Sequence, residues 1–165
     1  MRVERQIDID QAHEEVFAYV SDQLNAPTWQ RGLEEVKRLT EGPIGIGTRH
    51  AFVRRFAGRK MEGDNEYVEY TPNRSVAFKF KATSGSVPGG GSYQVDALGP
   101  GRTRLTASVE LRPTGLARLA QPLMSLSLKR EVEAGLVTLK GLLEKMDERR
   151  EPHKTPNVGD RPAAF

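Results

Sequence analysis

Apolar and polar residues alternate along the middle of the chain. In residues 76–81, Val76, Phe78 and Phe80 occupy every second position, which is the period of a half-buried strand. Similar stretches, separated by glycine, proline and asparagine turns, predict strands at residues 2–9, 33–39, 48–56, 60–70, 76–81, 93–97 and 105–111. Consecutive strands with short turns indicate an antiparallel meander.

Apolar residues at helical spacing precede and follow this strand region. Ala12, Val16, Phe17 and Val20 predict a short helix, and a second short helical turn follows, which Pro27 interrupts or restarts. After Pro113, an apolar stripe with spacings of three and four predicts a long helix that runs to about residue 147, formed by Leu128, Val132, Leu136, Leu139, Leu143 and Met146. We therefore expect one domain over residues 1–147 and a disordered polar tail over 148–165.

These elements predict an α+β fold of the helix-grip type. An antiparallel sheet of six or seven strands must cover its apolar face, and one long C-terminal helix can lie across it. Because the sheet twists and curls, the two layers leave a cavity between them. We expect Phe78, Phe80 and Tyr93 on one wall of it, and Leu128, Val132 and Leu136 on the other.

Composition excludes several chemistries. The 165 residues include no cysteine, so disulfides, thiolate zinc sites and cysteine nucleophiles are ruled out. The glycines at 42–47 and 89–91 lack the lysine and the serine or threonine of a phosphate loop and are interpreted as turns. We expect no metal and no cofactor.

The net charge of +3 is too small an excess to indicate a nucleic-acid partner. The densest basic run spans residues 49–60, but Glu62, Asp64 and Glu66 follow it at once and would repel phosphate. No apolar stretch reaches the roughly 18 residues of a membrane span, so we expect no membrane insertion and a cytoplasmic location.

Five segments resemble one known family. They are residues 7–22 (IDIDQAHEEVFAYVSD), 25–32 (NAPTWQRG), 45–49 (GIGTR), 68–74 (VEYTPNR) and 101–106 (GRTRLT). In this order they resemble the polyketide cyclase/dehydrase-like proteins of the START-like (SRPBCC, helix-grip) superfamily. The resemblance covers roughly residues 3–145 and implies the helix-grip fold. It implies no single function, because the superfamily includes carriers, cyclases and hydrolases.

The candidate ligand-binding residues are mostly aromatic or aliphatic, the composition of a small-molecule pocket. They are Trp29, Phe52, Tyr67, Phe78, Phe80, Tyr93, Met124, Leu128, Val132 and Leu136. For any single one of them, an ordinary core position is the favoured alternative.

The candidate catalytic residues are His50, Tyr67 and Tyr93. Either phenol would orient a ligand carbonyl or act as a weak acid. His50 shares a strand face with Phe52 and Arg54, and if that face pointed inward it would be a base beside the cavity. We favour a surface position for His50, because Ala51 and Val53 make the opposite face of the strand apolar as well. That opposite face would then be the buried one.

Three functions remain open. Binding or transport of a hydrophobic small molecule (a lipid, quinone, polyketide or aromatic metabolite) is favoured, because no catalytic constellation stands out. The second is a polyketide cyclase or dehydratase that folds its substrate and transfers a proton. The third is a protein-binding or stress-related regulatory module that uses the basic hairpin or the helix end.

Overall fold

Seven antiparallel strands form one open sheet. The structure is a computed structural model that describes residues 1–56, 58–84 and 87–150, with only the backbone of 81–84. The strands are β1 (Arg2–Ile9), β2 (Leu33–Arg38), β3 (Arg49–Phe56), β4 (Arg59–Thr71), β5 (Ser75–Ser84), β6 (Gly89–Gly99) and β7 (Arg102–Leu111). Their spatial order is β1-β7-β6-β5-β4-β3-β2, so β1 and β2 are the edges and the sheet does not close.

Two long-range connections complete the fold. Helix α1 (His13–Ser21) and a 3-10 helix (Gln23–Thr28) carry the chain from one edge strand to the other. A second 3-10 helix (Gly115–Arg118) leads into the long helix α2 (Gln121–Arg150). The predicted helix-grip fold is confirmed.

Helix α2 packs against the sheet mainly along its C-terminal half. Leu136, Leu139 and Leu143 are buried in the main core with Ile9 and Leu105. Met146, the last predicted member of the stripe, is exposed.

The helix continues to Arg150, beyond the predicted end near residue 147. The rest of the predicted disordered tail, residues 151–165, lies outside the described residues. In the described part of the chain, no helix is long and apolar enough to cross a bilayer.

The glycine run 89–91 is a strand, and its interpretation as a turn was wrong. These residues pair with β7 on one side and with β5 on the other. A Cβ atom at Gly90 would lie 2.7 Å from the Phe78 carbonyl oxygen, and one at Gly91 would lie 2.9 Å from the Phe78 ring. Glycine is needed here because the neighbouring strand approaches too closely for a side chain.

We expect Gly90→Ala to destabilise the protein by about 1–3 kcal/mol, because the added methyl group meets backbone that cannot move aside cheaply. Urea unfolding measures the change. Gly45→Ala is the control, since open space surrounds a Cβ atom there. Equal stability of the two variants would contradict this account of the strand.

Candidate functional site

A cavity of about 170 Å³ lies between the sheet and the N-terminal half of α2. One water molecule needs only about 10–15 Å³, so this space is far larger than a packing defect. The sheet lines it with side chains that include Phe52, Phe56, Met61, Phe78, Phe80 and Val109, and α2 lines it with Met124, Leu128, Glu131, Val132 and Gly135.

The aromatic wall is a chain of ring contacts centred on Phe78. Its ring centroid lies 5.5 Å from that of Phe80 and 5.7 Å from that of Tyr93. Phe80 continues the chain to Phe52 at 6.0 Å, and Tyr93 continues it to Trp29 at 5.7 Å. These separations are within the range of favourable aromatic pairs, so the wall is held in place by its own packing.

A chain of polar side chains interrupts the apolar lining. Arg54 Nη2 donates a hydrogen bond to Gln30 Oε1 (2.9 Å), and Gln30 Nε2 donates one to the Tyr93 hydroxyl (2.8 Å). Arg54 Nη1 also lies 3.5 Å from Glu131 Oε2. All four residues line the cavity, so a cation, a carboxylate, an amide and a phenol face one space.

Burial controls the protonation of this polar chain. Burial raises the pKa of Glu131, while Arg54 and Arg31 partly oppose the change. Burial also raises the pKa of Tyr93, which keeps the phenol protonated. Glu131 Oε2 has no hydrogen-bond partner among the described residues, despite its proximity to Arg54. The carboxylate therefore retains an acceptor that a bound molecule could use.

The two candidate tyrosines have different roles. The Tyr67 hydroxyl donates its proton to the Ser21 carbonyl oxygen (2.5 Å), and Tyr67 is not on the cavity wall. Its phenol is thus committed to holding helix α1 against β4. Tyr93 lines the cavity, and its hydroxyl accepts from Gln30, which leaves the phenol proton for a ligand oxygen.

The expected surface position of His50 was wrong. His50 is fully buried, its Nδ1 lies 3.2 Å from Asn65 Oδ1, and its ring packs on Tyr67. The face that it shares with Phe52 and Arg54 points inward, but His50 lies behind the cavity wall, where Asn65 is the lining residue. Its Nε2 has no partner among the described residues. Burial lowers the pKa of His50, so the ring is held neutral.

Most of the other sequence-predicted site residues line the cavity. These are Trp29, Phe52, Phe78, Phe80, Met124, Leu128 and Val132. Leu136 directly follows the lining residue Gly135, but it does not line the cavity and is buried in the core. Sequence reasoning missed Gln30 and Glu131 as site residues.

Only one of these two residues left a signal in the sequence. Glu131 follows Leu128 by three positions, which places a carboxylate beside the apolar stripe of α2. No sequence signal marks Gln30. Across the described residues, no group of histidines and carboxylates could hold a metal ion.

Comparisons with known proteins agree with this fold. A family model described as polyketide cyclase/dehydrase and lipid transport matches residues 1–144. No curated protein matches the chain.

Several solved structures are similar at low identity. The Zhui aromatase/cyclase of Streptomyces sp. R1128 is 19% identical, with a TM-score of 0.75 over 89% of this chain and 95% of that one. A START superfamily protein of Mycobacterium smegmatis is 15% identical, with a TM-score of 0.70 over 88% and 98%. The di-domain ARO/CYC StfQ of the steffimycin biosynthetic pathway is 13% identical, with a TM-score of 0.69 over 89% and 51%. At such identities, the likeness shows the fold alone.

We expect the buried His50 to make stability depend on pH. Its pKa is lowered in the folded state, so the unfolded chain, with an ordinary histidine pKa of about 6.5, binds the proton first as pH falls. The free energy of unfolding should therefore decrease from about pH 7 to about pH 5, and His50→Gln should reduce that decrease.

Urea unfolding at several pH values measures this effect. His13→Gln is the matched histidine replacement, at a partly exposed position on the first turn of α1, and we expect His50→Gln to reduce the decrease more than it does. A His50→Gln variant with the full wild-type decrease would show that another group is responsible.

Proposed function

The chain belongs to the polyketide cyclase/dehydrase and lipid transport family, and we propose that it binds a hydrophobic, ring-containing small molecule that carries an oxygen acceptor. The observation that carries the proposal is the cavity, with its aromatic wall and its chain of polar side chains. Pockets of this make-up, largely apolar with a few placed polar groups, are typical of small-molecule sites.

The polar side chains of the cavity indicate which oxygen-bearing groups a ligand needs in order to bind there. The free proton of Tyr93 and the guanidinium of Arg54 are donors, so they favour a carbonyl, a phenolate or a carboxylate on the ligand. The unpartnered oxygen of Glu131 favours a hydroxyl nearby. A polyketide, a quinone or an oxygenated aromatic metabolite meets these requirements, and a plain hydrocarbon does not.

We expect Val132→Phe to abolish ligand binding, because the larger ring fills the cavity from the helix side. Native mass spectrometry of freshly purified protein identifies a co-purified ligand, and fluorescence titration with that ligand or with a panel of naphthoquinones and polyphenols measures affinity. Val137→Phe is the matched control, because Val137 is exposed on the same helix.

Two results would contradict this account of the cavity. A protein that carries no ligand and shows no thermal shift with lipids, quinones or polyphenols would contradict the proposed function. A Val132→Phe variant with wild-type affinity would place the binding site elsewhere.

The polar chain also favours a second candidate, a cyclase or dehydratase. Arg54, Glu131 and Tyr93 are titratable or charged groups that face one cavity, and convergence of this kind is expected of a catalytic site. In that role Arg54 would stabilise negative charge on an enolate oxygen, and Tyr93 would supply a proton. The apolar wall would fold the substrate chain.

Tyr93→Phe distinguishes the two functions. For a binding protein we expect a loss of about two- to tenfold in affinity for an oxygen-bearing ligand, equivalent to one hydrogen bond, and no turnover by either form. Titration and product analysis by liquid chromatography with mass spectrometry measure the two quantities. Turnover of a polyketide-type substrate that falls more than tenfold in kcat in the variant would establish the enzyme instead.

A further inference from the structure

Four leucines at and just before the start of α2 are exposed to solvent. The exposed fractions are 86% for Leu116, 81% for Leu119, 70% for Leu123 and 47% for Leu126. Leu123 and Leu126 share one side of α2, and Leu116 and Leu119 share one side of the 3-10 turn that precedes it. We call these four residues the leucine stripe.

The opposite side of the same helical turns is apolar as well. Met124 and Leu128 belong to those turns and line the cavity. A helix that is apolar on opposite sides is normally buried on both, yet this one has solvent on its outer side. Contiguous exposed apolar residues mark interaction surfaces, so the leucine stripe needs a partner.

Along the chain, all charged residues between positions 111 and 130 are positive. Residues 111–130 contain Arg112, Arg118, Lys129 and Arg130 and no aspartate or glutamate. Arg112 is paired with Glu110 at 3.1 Å. Within the described residues, no carboxylate lies within ion-pair distance of the other three. The surface is therefore apolar along its middle and basic at its flanks.

This combination fits a membrane surface better than a second copy of the chain. A helix with exposed leucines and flanking basic residues is the kind that lies in the interface of a bilayer with anionic lipids. Two copies that met through the same face would bring their basic flanks together. We propose that the leucine stripe docks the protein on the surface of an anionic bilayer.

Docking in this way has a consequence for the cavity. Met124 and Leu128 lie on the opposite side of the turns that carry Leu123 and Leu126, so docking would hold the cavity about one helix diameter, roughly 10 Å, from the bilayer surface.

Vesicle co-sedimentation of the full chain without added ligand tests the docking. The vesicles contain phosphatidylcholine alone, or phosphatidylcholine with about 30% phosphatidylglycerol. We expect binding to the anionic vesicles that weakens as salt is added. Replacing Leu119 and Leu123 together by glutamine should lower the affinity at least tenfold, and replacing Arg118 and Arg130 together by glutamine should remove the preference for anionic lipid.

Val137→Gln is the matched control, because Val137 is an exposed apolar residue of the same helix beyond the leucine stripe. It should bind vesicles like the wild type, and all variants should unfold at wild-type urea concentrations because the changed residues are exposed. Three results would overturn the proposal: no vesicle binding by the wild type, an equal loss in Val137→Gln, or a wild-type dimer that the leucine variant converts to monomers. Since no ligand is added, these results are independent of the cavity tests.

Discussion

The structure depends on a mismatch between a curved sheet and a long helix that touches it along only part of its length. Leu136, Leu139 and Leu143 seat the C-terminal half of α2 in the core. The N-terminal half spans the concave face of the sheet, where its side chains cannot reach the strands closely enough to fill the space. The cavity is thus a product of geometry, and its position follows from where the helix packs.

The mismatch also determines where polar groups can be buried. A guanidinium and a carboxylate are costly to remove from water, and an apolar pair of similar size would often be at least as stable. Arg54 and Glu131 are nevertheless held beside aromatic rings, and Gln30 links Arg54 to a phenol. Charged groups placed at such a cost are typical of functional sites, and folding stability alone gives no reason for them.

The periodic patterns predicted the architecture, because a strand or a helix must bury one face. The alternation of Val76, Phe78 and Phe80 identified the aromatic wall, and the apolar stripe identified the long helix. The glycines at 89–91 were misread because their composition is typical of turns, whereas the close approach of β5 that requires them is a tertiary effect. His50 was misplaced because both faces of its strand carry apolar residues. Gln30 joins the site only through contacts across the fold, which no local pattern records.

The open sheet has two edge strands, and their charged residues oppose strand pairing between molecules. In the described part of the chain neither β1 nor β2 has a strand on its outer side. β2 carries Glu34, Glu35, Lys37 and Arg38 among its six residues and contains a register shift near Leu33. Charges and bulges of this kind prevent edge-to-edge pairing between molecules. An open sheet with edges of this kind thus avoids fibril growth at its own edge strands.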